Sequence, residues 1–255
     1  MSSAGARDLP PALIVALRDA RYVVALTGSG VSAESGVPTF REAQTGLWER
    51  YDPQQLATPE AFDRDPRLVW EWYEWRRKLV SEAEPNPGHL ALAELERRTP
   101  NFTLITQNVD GLHERAGSRE VIELHGNILR SKCSREGVIT EPEEHDANIP
   151  PCCPRCGANL RPDVVWFGEM LPPGMLDAAS EAARGCDLLL SVGTSSLVYP
   201  AAALPYEALE SGATLVEINP SKTPLTQYAT FALQSLAGEA LPNLLREVCG
   251  TPTSR

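Results

Sequence analysis

The chain has no apolar run approaching the ~20 residues that a helix needs to cross a bilayer, and its first stretch, MSSAGARDLPP, holds no apolar signal core. Both absences make the cytoplasm the expected compartment. Positive charge is scarce: 23 Lys and Arg stand against 34 Asp and Glu, a formal net charge of −11. That balance argues against a nucleic-acid phosphate footprint and against an anionic membrane surface, and it leaves cationic peptides as better tolerated partners. Cysteine is also sparse, with six in 255 residues, too few for a disulfide scaffold. No internal repeat or low-complexity tract is visible. What remains is a chain 42% hydrophobic, long enough for a sizeable core in one large domain, or in a large domain with a small appendage.

Asp8 reads as an N-cap, with Pro10 and Pro11 in the first turn and Leu13, Ile14 and Leu17 on one helical face up to about Ala20. Val23 to Leu26 is then the first buried strand. It runs into Thr27-Gly28-Ser29-Gly30-Val31-Ser32-Ala33-Glu34, where Gly28, Gly30 and Ala33 fit the loose dinucleotide fingerprint. Glycine there lets the backbone turn tightly and approach a pyrophosphate at a helix N-terminus. The acidic residue that closes a second strand about 20 residues later in dehydrogenases is missing. An irregular segment from Val37 to Leu47 takes its place, which argues against hydride-transfer chemistry.

Two short apolar runs, Phe102–Thr106 and Val121–Leu124, read as strands buried on both faces. Gln107, Asn108, Asp110 and His125 therefore stand just past carboxyl ends of strands, the rim where parallel sheets bind ligands. Histidine, with an ordinary pKa of ~6.5, is the natural general base at neutral pH. A lone histidine is more often a satisfied core residue, but short polar neighbours at a strand end favour chemistry.

Thr58-Pro59 and Asp65-Pro66 are cap-plus-proline helix starts, the second opening a helix to about Ala83. Tyr73 and Arg76, three apart, share a face. They can form a hydrogen-bonding fork for a carboxylate, or simply belong to an exposed charged face. Asn86-Pro87-Gly88 precedes a further helix, His89 to Arg98, in which His89 packs. The stretch from Ser131 to Leu160, rich in proline, cysteine and charge, reads as a small inserted module.

Within it, Cys153-Pro-Arg-Cys156-Gly is a metal knuckle, and Cys133 lies 20 residues upstream, a spacing that suits the other half of a structural zinc site. Glutamate stands where its partner cysteine is expected, so Glu136 or Cys152 supplies the fourth ligand. Cys186 and Cys249 read as buried bystanders. After Val164 to Gly168, strands at 188–192, 214–218 and 231–234 alternate with helices near 175–184, 200–211 and 239–248. That alternation implies an α/β fold with a doubly wound, mostly parallel sheet. Gly193-Thr194-Ser195 and Asn219-Pro220-Ser221 put small polar groups at strand ends, positioned for a nucleotide's ribose and adenine.

Taken in order over nearly the whole chain, TGSGVSAESGVPTFR (27–41), TQNVDGLH (106–113), ELHG (123–126), the cysteine knuckle, RPDVVWFGE (161–169), GTS (193–195) and Asn219 resemble the sirtuins, NAD-dependent protein-lysine deacylases. The resemblance implies a Rossmann-like large domain (8–41, 87–127 and 164–250), a small domain with helical and zinc parts (42–86 and 128–163), and tails at 1–7 and 251–255. NAD and acyl-lysine would meet in the cleft between the domains. Gly28 to Leu47, with Ser29, Gly30, Ala33, Glu34, Thr39, Phe40 and Arg41, would be the phosphate and cofactor loop. Gln107, Asn108 and Asp110 would hold the nicotinamide ribose and carboxamide. Gly193, Thr194, Ser195, Asn219, Pro220, Ser221 and Ala240 would lie along the adenosine half. Val165, Trp166, Phe167 and Gly168 would offer a strand edge to the substrate peptide.

In the mechanism this resemblance implies, the acyl oxygen attacks the ribose C1′ as nicotinamide leaves, and His125 accepts a ribose hydroxyl proton, with Asn108 beside it. The acyl group ends on ADP-ribose, so NAD is a consumed cosubstrate. Ala57 and Tyr73-x-x-Arg76 resemble the subgroup that removes succinyl, malonyl or glutaryl groups, in which a small residue widens the acyl pocket and Tyr plus Arg bind the distal carboxylate. Bacterial members with this pair also remove acetyl groups, so both activities are expected. A noncatalytic NAD sensor and a mono-ADP-ribosyltransferase are the alternatives. Ser29, where the family usually has alanine, and Glu136 are departures from its pattern.

Overall fold

In a computed structural model, residues 9–38, 52–142 and 147–249 are described. Helix α1 (Pro11–Asp19) leads into β1 (Tyr22–Thr27), which passes through a tight turn into the short α2 (Ser29–Ala33). The α1 cap is Pro10, with no side-chain hydrogen bond; Asp8 lies outside the described residues. Three helices follow, α3 (Pro53–Leu56), α4 (Pro59–Arg64) and α5 (Pro66–Glu82). Thr58 and Asp65 accept backbone N–H groups at the starts of α4 and α5, as their cap-plus-proline pattern predicts. Helix α6 (Pro87–Arg98) is opened by a capping box in which the Asn86 side chain and His89 satisfy each other's backbone.

Next come β2 (Asn101–Thr106), α7 (Leu112–Arg115), β3 (Val121–Glu123), β4 (Gly126–Cys133) and β5 (Leu160–Val164). The chain ends with α8 (Met175–Gly185), β6 (Leu188–Val192), a 3-10 turn (Ala201–Ala203) running into α9 (Leu204–Glu210), β7 (Thr214–Ile218), β8 (Phe231–Leu233) and α10 (Ala237–Cys249). The sheet is six-stranded and parallel throughout, in the order β3-β2-β1-β6-β7-β8. The expected doubly wound α/β architecture is thus the observed one.

Side chains alternate across a strand, so a strand covered on both faces is apolar at nearly every position. β1 obeys this. Val23 and Ala25 pack with Leu13, Leu92 and Leu241 from α1, α6 and α10, whereas Val24 and Leu26 pack with Ala179, Ala183 and Leu204 from α8 and α9. β3 departs from expectation: its three residues are only half-buried, because it is an edge strand, and Leu124 just beyond it is fully buried.

Two further apolar clusters lie apart from those of the sheet. One joins Ala57, Phe62, Trp72 and Tyr73 to Ile128, Val164 and Trp166, and the other joins Trp70 to Cys133, Cys153 and Leu160. The first attaches α4 and α5, and the second α5 alone, to an antiparallel β4–β5 ribbon with a bulge between Asn127 and Ser131. Arg77 bolts the contact: its guanidinium lies over Trp70 and donates to the Ile128 and Arg130 carbonyls and to Ser131. The ribbon's first strand begins five residues before the stretch read from sequence as an irregular module. Among the described residues no helix is long and apolar enough to cross a membrane.

The turn after β1 rests directly on the end of β6. Gly28 N–H donates to the Val192 carbonyl (3.1 Å) and Gly30 N–H to the Gly193 carbonyl (2.9 Å). A Cβ on Gly30 would stand 2.7 Å from that carbonyl oxygen, closer than real Cβ atoms come. Gly30→Ala is therefore expected to cost about 1–3 kcal/mol and to lower Tm by about 2–10 °C, measured by calorimetry; an unchanged Tm would show that the turn is not seated on β6.

Candidate active site

The sheet order reverses at β1, with β2 on one side and β6 on the other, and α-helical crossovers leave in opposite directions. A crevice therefore opens at the carboxyl ends of these strands, where backbone groups and polar side chains are free of the ladder. The fingerprint glycines line its floor, but their tight neighbour is the Gly193–Thr194 backbone: a Cβ on Gly28 would stand 2.9 Å from Thr194 Cα. Ser29 and Ala33 are exposed on α2. Glu34 accepts the Gly238 N–H (2.9 Å) in the first turn of α10, so this carboxylate also stabilises a helix N-terminus. Thr39, Phe40 and Arg41 lie outside the described residues.

β2 delivers Gln107, Asn108 and Asp110 to the crevice. Asn108 is buried and donates through Nδ2 to the Gly28 carbonyl (3.1 Å) and to Ser32 Oγ (3.0 Å). Since the Asn86 N–H occupies Nδ1 of His89 (3.3 Å), His89 carries its proton on Nε2 and points it at Ser32 Oγ (3.4 Å). Ser32 thus receives two donors, and its own hydroxyl proton goes to Asp110. Burial raises the Asp110 pKa, while the Leu112 N–H, Ser32 and Arg76 hold it down. A buried carboxylate is tolerated here because donors surround it. Ser32 and His89 are the parts of this network that sequence reasoning missed; Ser32 occupies a variable position of the fingerprint, and nothing local links it to residue 108.

His125 follows β3 and is half-buried. Its Nδ1 lies 2.9 Å from the Gln107 carbonyl, which can only accept, so Nδ1 carries the proton and Nε2 keeps its lone pair. Burial lowers the His125 pKa below its ordinary value, with the Gln107 carbonyl pulling the other way. The ring is thus a neutral, oriented base at pH 7. His113 and His89 lie against each other, their ring centroids 4.8 Å apart and their planes tilted by 57°. His113 Nε2 meets Thr27 Oγ1 at 2.9 Å, and Thr27 passes its proton to Thr106. Burial drives the His89 pKa down to about 4 and, with His89 adding to it, that of His113 down to about 3.

Opposite, Gln107 Nε2 donates to Thr194 Oγ1 (3.1 Å), and Asn219 Nδ2 to the Thr194 carbonyl (2.7 Å). Asn219 Oδ1 accepts the Ser221 N–H across Pro220 (3.2 Å). The ends of β2, β6 and β7 are therefore laced into one wall, with Ser195 half-buried on it. Ala240 packs into the core between α10 and the sheet.

The Tyr73–Arg76 face is not an exposed one. Tyr73 is 1% exposed, and its hydroxyl accepts the Trp166 indole N–H at 2.9 Å. Burial pushes its pKa up to about 12, against the Arg76 charge and the Trp166 bond. Arg76 lies over the Trp72 ring, 5.2 Å from its centroid, and its charge is felt by both Tyr73 and Asp110. Ala57 is joined to the same group, its carbonyl accepting the Phe167 N–H (3.0 Å). Residues 165–168 form no strand. Val165 N–H bonds to the His125 carbonyl (2.9 Å) and Trp166 N–H to Glu169 (2.8 Å).

The model of the Sir2 family matches residues 28–200. The chain belongs to the Sir2 family. A relative from Methylococcus capsulatus named NAD-dependent protein deacylase is 53% identical over 242 residues, covering 92% of this chain and 95% of its own length. Among solved structures, a Sir2 homolog in complex with NAD superposes with a TM-score of 0.89 at 49% identity, covering 95% of this chain and 94% of that one. A mutant Sir2 homologue bound to 2′-O-acetyl ADP ribose gives 0.87 at 48%, covering 96% and 100%.

This Sir2 chain also gathers a metal-ligand group. Donor atoms of Cys133, Glu136, Cys153 and Cys156 all lie within 4.8 Å of one another, and the Cys133 and Cys156 sulfurs are 3.4 Å apart. Two sulfurs on a tetrahedral zinc, each ~2.3 Å from it, stand about 3.8 Å apart, so the donor set fits a structural zinc ion. Gly157, at φ +72°, turns the knuckle as its sequence predicts. Of the two candidates for fourth ligand the fold brings in Glu136, which also pairs with Arg155, whereas Cys152, whose backbone bridges Asn159, is not part of that group. Cys186 is a buried bystander, burial raising its thiol to about 11; the Cys249 side chain lies outside the description.

Two outcomes are expected. In an NMR titration assigned with His125→Ala, the His125 ring titrates below pH 6.5, and His89 and His113 stay unprotonated until about pH 4 and 3. Their depressed folded pKa values stabilise the fold fully above pH 6.5, and that contribution drains away as pH falls through 4 to 3. Titration of all three near 6.5 would contradict the buried neutral arrangement. Separately, metal analysis of folded protein is expected to find zinc, and a strong chelator to lower Tm; folded protein with no metal would remove the assignment.

Proposed function

We propose that this chain removes acyl groups from protein lysines at the expense of NAD, taking succinyl and malonyl groups as well as acetyl. One water is consumed, and the products are nicotinamide, O-acyl-ADP-ribose and free lysine. The coarser statement, an NAD-dependent protein deacylase that consumes NAD as cosubstrate, follows from its membership of the Sir2 family together with the intact crevice. The observation that carries the reading is His125, half-buried at the strand-order reversal, with Nδ1 tied to Gln107 and no partner on Nε2 among the described residues.

The roles follow from the chemistry of the wall. The turn from Gly28 and the segment through Arg41 take the phosphates. Gln107, Asn108 and Asp110 take the nicotinamide ribose and carboxamide, with Ser32 and His89 fixing Asn108 and Asp110 from behind. Thr194, Ser195 and Asn219 run along the adenosine. The acyl oxygen attacks C1′ of the ribose as nicotinamide leaves, and Nε2 of His125 accepts a ribose hydroxyl proton. A base held neutral at pH 7 suits that step. Val165 to Gly168 receive the peptide, which needs their present bonds to rearrange.

The two apolar clusters, one joining α4 and α5 and the other α5 alone to the β4–β5 ribbon, support a division into a nucleotide domain and a smaller domain of 42–86 and 128–163, with the cleft between. Ala57, Tyr73 and Arg76 line the acyl end of that cleft. A phenol that can donate and a guanidinium beside it suit a distal carboxylate. The substrates are acylated-lysine proteins of the cytoplasm, and the negative charge balance fits lysine-rich peptides better than nucleic acid or anionic membrane.

The test is turnover of matched succinyl-lysine and acetyl-lysine peptides with and without NAD. His125→Ala is expected to lower both by about 10²–10⁴-fold, and Arg76→Met to lower the succinyl-to-acetyl ratio of kcat/KM by about 100-fold. NAD binding without turnover would mark a noncatalytic sensor, and ADP-ribose left on the protein a transferase. Equal damage to both acyl groups in Arg76→Met would leave the deacylase and remove the carboxylate clamp.

A further inference from the structure

The most tightly held side chain beside the crevice is Trp166, and what holds it is not required by any role above. Arg161, on β5, is 7% exposed and lays its guanidinium over the Trp166 ring, 3.3 Å from Cζ to the centroid. The same guanidinium forks onto Glu169 (2.5 and 2.9 Å) and donates to the Val164 carbonyl (2.8 Å). Glu169 in turn accepts the Trp166 backbone N–H (2.8 Å) and donates its own N–H back to the Trp166 carbonyl (3.0 Å). Phe62 closes the other side at 5.3 Å. Trp166, at 2% exposure, is thus fixed in both position and rotation.

The purpose of a fixed indole lies in its one polar atom. Nε1–H can only donate, and it donates to the Tyr73 oxygen. A phenol's hydroxyl hydrogen lies in the ring plane on one side or the other. With Trp166 on one side, the hydrogen is left on the other. Tyr73 is therefore a donor whose direction is set before any ligand arrives, and Arg76 stands one helical turn along the same face.

We propose that Trp166 is a specificity-determining residue, its indole N–H orienting the Tyr73 hydroxyl proton toward the distal carboxylate of a dicarboxylic acyl group, and that Arg161 and Glu169 are positioning residues that lock the indole for this purpose. The inference rests on the carboxylate-clamp reading of Tyr73 and Arg76. An acetyl group has no distal oxygen to receive that proton, so the device acts on one substrate class only. Preorganising a donor to a charged acceptor removes an orientational cost that a freely rotating hydroxyl would meet in each binding event.

The experiment is steady-state kinetics at saturating NAD on matched succinyl-lysine and acetyl-lysine peptides, with wild type, Trp166→Phe, Tyr73→Phe, the double variant, Arg161→Lys and Arg76→Met. Trp166→Phe keeps an aromatic ring and loses the N–H. Its succinyl-to-acetyl ratio of kcat/KM is expected to fall about tenfold, through the KM for the succinyl peptide, whatever loss the two peptides share. Added to Tyr73→Phe, the change should lower the ratio no further, because the hydroxyl it orients is already gone. Arg161→Lys, which keeps charge but loses the planar stack and fork, should shift the ratio in the same direction. If Trp166→Phe fails to fold, Arg161→Lys and Glu169→Gln carry the same ratio test. A ratio within twofold of wild type, or losses that multiply in the double variant, would overturn the orientation while Arg76→Met still lowered the ratio. A ratio unmoved by Arg76→Met would overturn the clamp itself and the inference with it.

Discussion

Everything at the crevice depends on one backbone contact, the turn after β1 seated on the end of β6. Two N–H groups of the turn donate into the β6 terminus, and Gly193 takes φ +61° to receive them. Neither side has room for a Cβ: one on Gly193 would stand 2.5 Å from the Val31 nitrogen. Because β1 and β6 are the strands at which the winding reverses, this contact fixes the crevice floor. It also sets where α2 begins, and hence where Ser32 points.

The crevice is built from polar groups in a dry place, which is costly unless each is matched. Most of them are matched, although Nδ1 of His113 has no partner among the described residues. Asn108 and His89 both donate to Ser32, which donates to Asp110, and this network is anchored on the far side by the Asn86 cap of α6, which also reaches the Val31 carbonyl (2.7 Å). The same Asn86 therefore starts a helix, braces the β1–α2 turn and sets the tautomer of His89. Keeping His89 and His113 neutral is what lets them be buried at all. Hydrogen bonding and desolvation, not packing alone, hold the site in register.

The β4–β5 ribbon carries this order outward. β4 starts directly after His125, and Gly126 pairs with Val164 at the site end while Cys133 pairs with Leu160 at the metal-ligand end. A zinc ion there would staple the distal end of the ribbon, one strand away from the chemistry. Between the two ends sit Arg161 and the Arg77 contacts, so the ribbon is gripped along its length by α5 on one side and by its own turn on the other. Ala57, Tyr73 and Trp166, proposed above as parts of an acyl pocket, share the apolar cluster that joins α4 and α5 to Ile128 and Val164 of the ribbon.

The local sequence determined the strands, because a parallel strand buried on both faces is apolar along most of its length, and it determined the helix starts, because Thr58, Asp65 and Asn86 can satisfy orphan N–H groups without outside help. It also placed Gln107, Asn108, Asp110 and His125 at strand ends, since polarity returns where the ladder stops. Tertiary structure alone decided the rest. That Glu136 joins the metal group and Cys152 does not, that Tyr73 faces Trp166 rather than water, and that Glu34 caps α10 all turn on contacts between residues 17 to 204 positions apart. No local pattern encodes these contacts, because backbone propensity acts over a few residues, whereas the direction of a buried hydrogen bond is set by whichever distant group the fold brings to meet it.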